Sequence, residues 1–163
     1  MTDPGPTAPA RADGLVHPVP IAAIAGLVLN DHWAKYAFPG VVTGKLSDVA
    51  GMIFFPLLLQ ALVELVDRRK PFRPQRSVLV GSAVATALVF GATNLSATAA
   101  EAYRVGLGAL QWPFRAGLAV LSGAAVPELA RVHLTQDPTD VITVPFVLVA
   151  VAVGWRRLPV RSA

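Results

Sequence analysis

The chain has 163 residues, of which 54% are hydrophobic and 15% charged, with a net charge of +4 and no cysteine. A soluble domain carries about 45–50% apolar and about 25% charged residues, so both departures point to a lipid bilayer. The lack of cysteine excludes disulfides, thiolate nucleophiles and Cys-ligated metals. The basic residues gather at the ends of apolar runs, which excludes the basic stripe of a nucleic-acid binder.

Residues 1–16 are rich in Pro, Ala, Gly and Asp and lack apolar periodicity, so they read as a disordered tail. Asp3 and the absence of Lys or Arg from the first ten residues do not fit a signal peptide. The first apolar segment covers about 18–36, with Trp33, Tyr36 and Phe38 as an interfacial aromatic anchor. Asn30, Asp31 and His32 lie within it, and Pro39-Gly40 ends it.

A polar stretch from Thr43 to Asp48 then opens onto a second apolar segment, about 46–66. Ser47 reads as its N-cap, Asp48 as a favourable charge in the first turn, and Pro56 as a kink. Glu64 and Asp67 lie near its far end and are expected to reach the interface. Residues 67–76 follow, with five positive charges and two prolines. By the positive-inside rule this is a cytoplasmic loop.

Residues 77–100 contain no charge and make the clearest membrane span. Residues 101–137 are interrupted by Glu101, Arg104, Arg115, Glu128 and Arg131, which suits an extracytoplasmic interfacial segment better than a span. A crossing at 105–127 would bury Arg115 at about 2.5–3.5 kcal/mol on insertion scales, and whether one exists stays open. The last span, 138–155, starts with Asp137 at N-cap, Pro138 at N1 and Asp140 at N3. Arg156, Arg157 and Arg161 follow it, and residues 158–163 form the C-terminal tail.

The expected fold is therefore all-α: one integral membrane helical bundle over residues 17–157, with about four transmembrane helices and both termini cytoplasmic. This threading gathers the polar motifs at the outer face. Asp31, His32, Lys45, Asp48, Asn94 and Asp140 are the candidate ligand-binding residues there. Each also has a plainer reading. Asp140 suits a helix start, Lys45 and Asp48 can pair locally, and Asp31 can simply be exposed. No His or Cys spacing supports a metal site, no cofactor motif occurs, and no catalytic residues are assigned.

The string Pro39-Gly40, Thr43-Gly44-Lys45-Leu46-Ser47-Asp48, Ala50-Gly51, with the late Asp137-Pro138-Thr139-Asp140, resembles an uncharacterised family of small bacterial multi-pass membrane proteins. The likeness covers about residues 17–60 and 133–157. It implies a bacterial cytoplasmic (inner) membrane location and no particular reaction, so whether the chain is an enzyme stays open. Three functions fit: a binder of an envelope or lipid-linked ligand, an accessory subunit of a larger membrane complex, and a small transporter. The expected partners are the bilayer and another membrane protein or a second copy, with no nucleic acid. A transporter is disfavoured by the lack of an inverted repeat or a mid-span charge.

Overall fold

The computed structural model describes residues 10–158. Among them the regular elements are all helical and no strand occurs. A 3-10 turn, Asp13–Val16, leads into α1, Pro18–Leu29. A π-helical turn, Asn30–Ala34, continues α1 into the short α2, Lys35–Ala37. Then come α3, Val41–Val66, α4, Arg76–Leu95, and α5, Ala97–Leu121. A 3-10 stretch, Pro138–Phe146, runs straight into α6, Val147–Trp155. Among the described residues three helical stretches are long and apolar enough to cross a membrane: Val41–Val66, Arg76–Leu95 and Pro138–Trp155.

Local chemistry sets the helix ends. The His17 ring accepts from Val19 N at 3.2 Å, and Pro18 supplies a favourable first position for α1. Pro39-Gly40 breaks the chain, yet α3 starts at Val41 rather than at Leu46 or Ser47. The reason is Thr43. Its hydroxyl lies 2.9 Å from the Phe38 carbonyl and 3.0 Å from that of Gly40, so the polar stretch winds into the first turns of the helix. Ser47 is therefore inside α3 and is not its cap. The apolar segment expected over 77–100 is two helices, because Ser96 takes an extended backbone and its hydroxyl accepts from Ala99 N at 3.3 Å, capping α5. At the other end of α5, Gly123 has φ +71. Its N–H bonds the Val120 carbonyl and Ala124 N bonds that of Ala119, a Schellman stop that favours glycine.

The packing divides into two units. One holds the described residues up to Leu88 together with those from Ile142, and the other holds Val89–Val141. In the first, α1 and α6 both pack along α3. Leu57, Leu79, Ala150, Val153 and Leu158 form its core, with Leu15 and Val19 packed against it. The expected tail is thus ordered from Ala10 onward, while the part over residues 1–9 lies outside the described residues. Leu158, expected in the C-terminal tail, belongs to the core, and residues 159–163 lie outside the described residues.

In the second unit, residues 124–137 double back antiparallel to α5. Trp112 Nε1 donates to the Pro127 carbonyl at 2.8 Å, Val132 N to that of Arg104 at 3.1 Å, and Arg104 Nη2 to that of Leu134 at 2.7 Å. Arg131 meets Glu101 at 2.8 Å. Gly108 allows this approach, since a Cβ there would collide with the Ala130 carbonyl. The charges that interrupt residues 101–131 are in part paired across this strap.

Gly154 in α6 is a tight point of the first unit's apolar core. A Cβ there would lie 2.5 Å from Leu79 Cδ1 and 3.2 Å from Gln60 Oε1, and Leu79 is fully buried. Overpacking of this kind costs about 1–3 kcal/mol. Gly154→Ala should lower the thermal midpoint of the purified protein in detergent, whereas Gly26→Ala, with open space around the added methyl, should not. Equal midpoints for both variants would refute this packing.

Candidate functional site

The π-helical turn marks the first cluster. A π-turn inserts an extra residue into the helical register and recurs at functional sites. Here it places Asn30, 1% exposed, against the first turns of α3. Asn30 Nδ2 donates to the Thr43 carbonyl at 2.7 Å and to Ser47 Oγ at 2.8 Å. Ser47 Oγ donates in turn to Asp31 Oδ1 at 2.6 Å, and Lys35 Nζ lies 2.7 Å from the same oxygen. Ser47 thus accepts from Asn30 and donates its own hydrogen to Asp31, which also takes the Lys35 ammonium. One atom is left over: Asn30 Oδ1 is buried with no hydrogen-bond partner among the described residues. A buried acceptor without a donor is costly and rare in native structures.

The sequence-predicted residues divide. Asp31 enters this cluster, and its cationic partner is Lys35. His32 does not enter it. Its ring is exposed, with Nδ1 turned back 2.9 Å from the Val28 carbonyl of its own helix. Lys45 and Asp48 are half-buried and lie three residues apart on α3, a spacing that puts them on one helix face.

Asn94 and Asp140 belong to the second unit, and Asn94 acts there as an anchor for the chain. It is 4% exposed. Its Oδ1 accepts from Asp137 N at 3.2 Å, and its carbonyl accepts from Gln136 Nε2 at 3.2 Å. Asp137 Oδ1 accepts from Thr139 N at 2.9 Å and Thr139 Oγ1 at 2.7 Å, the bonds of an N-cap, and Asp140 N donates to the Asp137 carbonyl. Among the described residues no group of three or more His, Cys, Asp or Glu side chains could hold a metal ion.

A second buried polar cluster lies at the far end of α3. Glu64, expected at the interface, is 3% exposed, and Gln60 is 1% exposed. Gln60 Nε2 donates to Glu64 Oε1 at 2.8 Å. Ala12 N donates to Oε2 at 2.9 Å, and Arg157 Nη2 lies 3.4 Å from the same oxygen. Arg157 also pairs with Asp13 and packs over Gly14, where any Cβ would strike the guanidinium. Burial pulls the Arg157 pKa down from the ordinary arginine value. Gln60 and Glu64, at i and i+4 in an apolar run, carried a sequence signal for one shared face. Nothing in the sequence paired them with residues 12 and 157.

No protein-family model matches the chain, and no curated protein or solved structure matches it. The class is therefore set by the helices alone: a helical protein in which, among the described residues, three helices are long and apolar enough to cross a membrane.

Removing one partner from a buried ion pair costs about 3–5 kcal/mol, whereas replacing both by apolar groups is often neutral. Glu64→Leu should lower the melting point sharply, and adding Arg157→Leu should recover part of the loss. A strictly additive double-mutant cycle would show that the pair is not coupled.

Proposed function

We propose that this is a small multi-pass bacterial membrane protein whose Asn30–Asp31–Ser47 cluster binds an envelope or lipid-linked ligand at the outer membrane face. The observation that carries this reading is Asn30 Oδ1, a buried acceptor without a partner beside a carboxylate. Such a pair suits a head group that offers hydroxyl or amine hydrogens. Lys45 and Asp48, half-buried on the same helix, complete the proposed site. The Asn94 side chain is better explained by the second unit's own hydrogen bonds.

Four spans follow from the same reading: α1 with its π-turn and α2, then α3, α4 and Pro138–Trp155. The basic residues of 67–76 and those after Trp155 lie inside, with the termini, in the cytoplasmic membrane. An accessory-subunit reading is favoured by one feature of α5. That helix exposes Leu110, Phe114, Leu118 and Leu121, although its 25 residues are not apolar enough to rank among the candidate spans.

Two measurements test the proposal. Topology reporters fused at residue 72 and at residue 125 should report cytoplasm and exterior respectively, and a cytoplasmic signal at 125 rejects the threading. For the site, lipids that co-purify with the wild type should be compared by mass spectrometry with those of Asn30→Ala and Asp31→Asn. A hydrogen bond to a charged group is worth about 1.5–3 kcal/mol, so retention of a lipid-linked species should fall at least about tenfold. Unchanged retention in well-folded variants, together with normal complementation by Lys45→Ala and Asp48→Asn, sinks the outer site.

A further inference from the structure

At the end of the first unit that carries Glu64, three membrane-length helical stretches have their termini: α3 ends at Val66, α4 starts at Arg76, and α6 ends at Trp155. The residues that follow or precede them are strongly basic. Arg68, Lys70, Arg73, Arg76 and Arg156 are all exposed.

The carboxylates of this end are already engaged. Glu64 is buried under Gln60, Ala12 and Arg157, and Asp13 is paired with Arg157. Asp67 is held by Arg69, whose guanidinium Nε lies 2.9 Å from Oδ1; that hydrogen bond, outweighing desolvation, keeps the carboxyl below its ordinary range. Among the described residues, Arg68, Lys70, Arg73, Arg76 and Arg156 have no carboxylate within ion-pair distance.

One of these cations and the loop that carries three others are nevertheless held in place. The Arg76 guanidinium stacks 4.9 Å over the Trp155 ring, which ties the first residue of α4 to the last residue of α6 and brings Arg76 toward Arg156. Arg11 stacks 4.9 Å over Phe72 and donates to the carbonyls of Asp67 and Arg69, pinning the loop after α3. Pro71 and Pro74 stiffen that loop, and Pro74 is buried. An aromatic face positions Arg76, and the loop that carries Arg68 and Arg73 is pinned through Arg11, so the positive charge of this end is left unneutralised.

We infer that Arg68, Arg73, Arg76 and Arg156, beside Trp155, form a binding site for the phosphate of an anionic phospholipid head group. The inference rests on the membrane reading and is independent of the Asn30 site and of which face is cytoplasmic. Cations at the termini of membrane-length helices lie at the depth of lipid phosphates. Guanidinium groups present paired N–H donors that match phosphate oxygens. A Trp at the same level fits the interfacial belt.

The test uses the full chain in nanodiscs of mixed phosphatidylcholine and phosphatidylglycerol, with the lipid retained after extraction measured by native mass spectrometry. Each basic residue near an anionic surface is worth about a fivefold change in affinity. The wild type should retain phosphatidylglycerol over phosphatidylcholine by at least about 25-fold, and Arg76→Gln with Arg156→Gln should lower that preference about 25-fold. Arg76→Lys should keep most of the preference, and Arg115→Gln, in the second unit, should leave it intact. Because the double variant can lose the Trp155 stack and unfold, salt is varied on the wild type as well. The preference should shrink between about 50 and about 500 mM salt. Equal retention of the two lipids by the wild type overturns the site while leaving the membrane reading in place. So does a loss in Arg115→Gln as large as in the double variant, or displacement by millimolar inorganic phosphate, which would mark a free-phosphate site. Release of the chain from membranes by alkaline carbonate removes the membrane reading and this site together.

Discussion

The carboxylate of Glu64 collects donors from three stretches that are far apart in the chain. Gln60 reaches it from one turn back on α3, Ala12 from the N-terminal turn, and Arg157 from just beyond α6. A buried carboxylate needs such company, since desolvation otherwise drives it to neutralise or to leave the interior. Satisfying it brings both ends of the described chain onto α3, and Leu15 and Leu158 then reach the same apolar core. Arg157 is accommodated because Gly14 has no side chain.

The opposite end of the same helix uses polar groups differently. Asn30, Ser47, Asp31 and Lys35 form a connected set of hydrogen bonds in which one buried acceptor, Asn30 Oδ1, is left without a donor among the described residues. At the Glu64 end the carboxylate itself is satisfied, while Gln60 Oε1 and Arg157 Nε beside it are buried without a hydrogen-bond partner among the described residues. At the Asn30 end the unmet acceptor differs in its setting, beside a π-helical turn and the Asp31 carboxylate, and the proposed site rests on that setting. Both clusters border α3, whose interior between them is apolar, with Met52, Pro56 and Leu57 buried. The second unit contributes order of its own. Asn94 and the strap over α5 hold the approach to Pro138–Trp155 through main-chain bonds.

Several helices were legible because long apolar runs leave few alternatives to a helix. The all-helical class, the breaks at Pro39-Gly40 and near residues 67–76, and the start at Pro138 all follow from composition and cap chemistry. The first turns of α3 were not legible. Thr43 to Asp48 read as a polar turn because composition does not distinguish polar residues in a loop from polar residues on a helix that face a neighbour. The split at Ser96 was hidden by the absence of charge on either side of it. Asn30 was visible only as part of a motif, and Lys35 was passed over as the partner of Asp31.

By itself, the sequence determined that this chain is helical and apolar enough to enter a membrane, since local periodicity and hydropathy need no tertiary information. It also determined where its positive charges gather, at the ends of apolar segments. Only the tertiary structure decided which polar residues are buried and with whom. Glu64 and Arg157 are 93 residues apart, and Asn30 and Ser47 are 17 apart with a helix break between them. Hydrogen bonds act over about 3 Å, a range set by folded proximity and not by spacing along the chain.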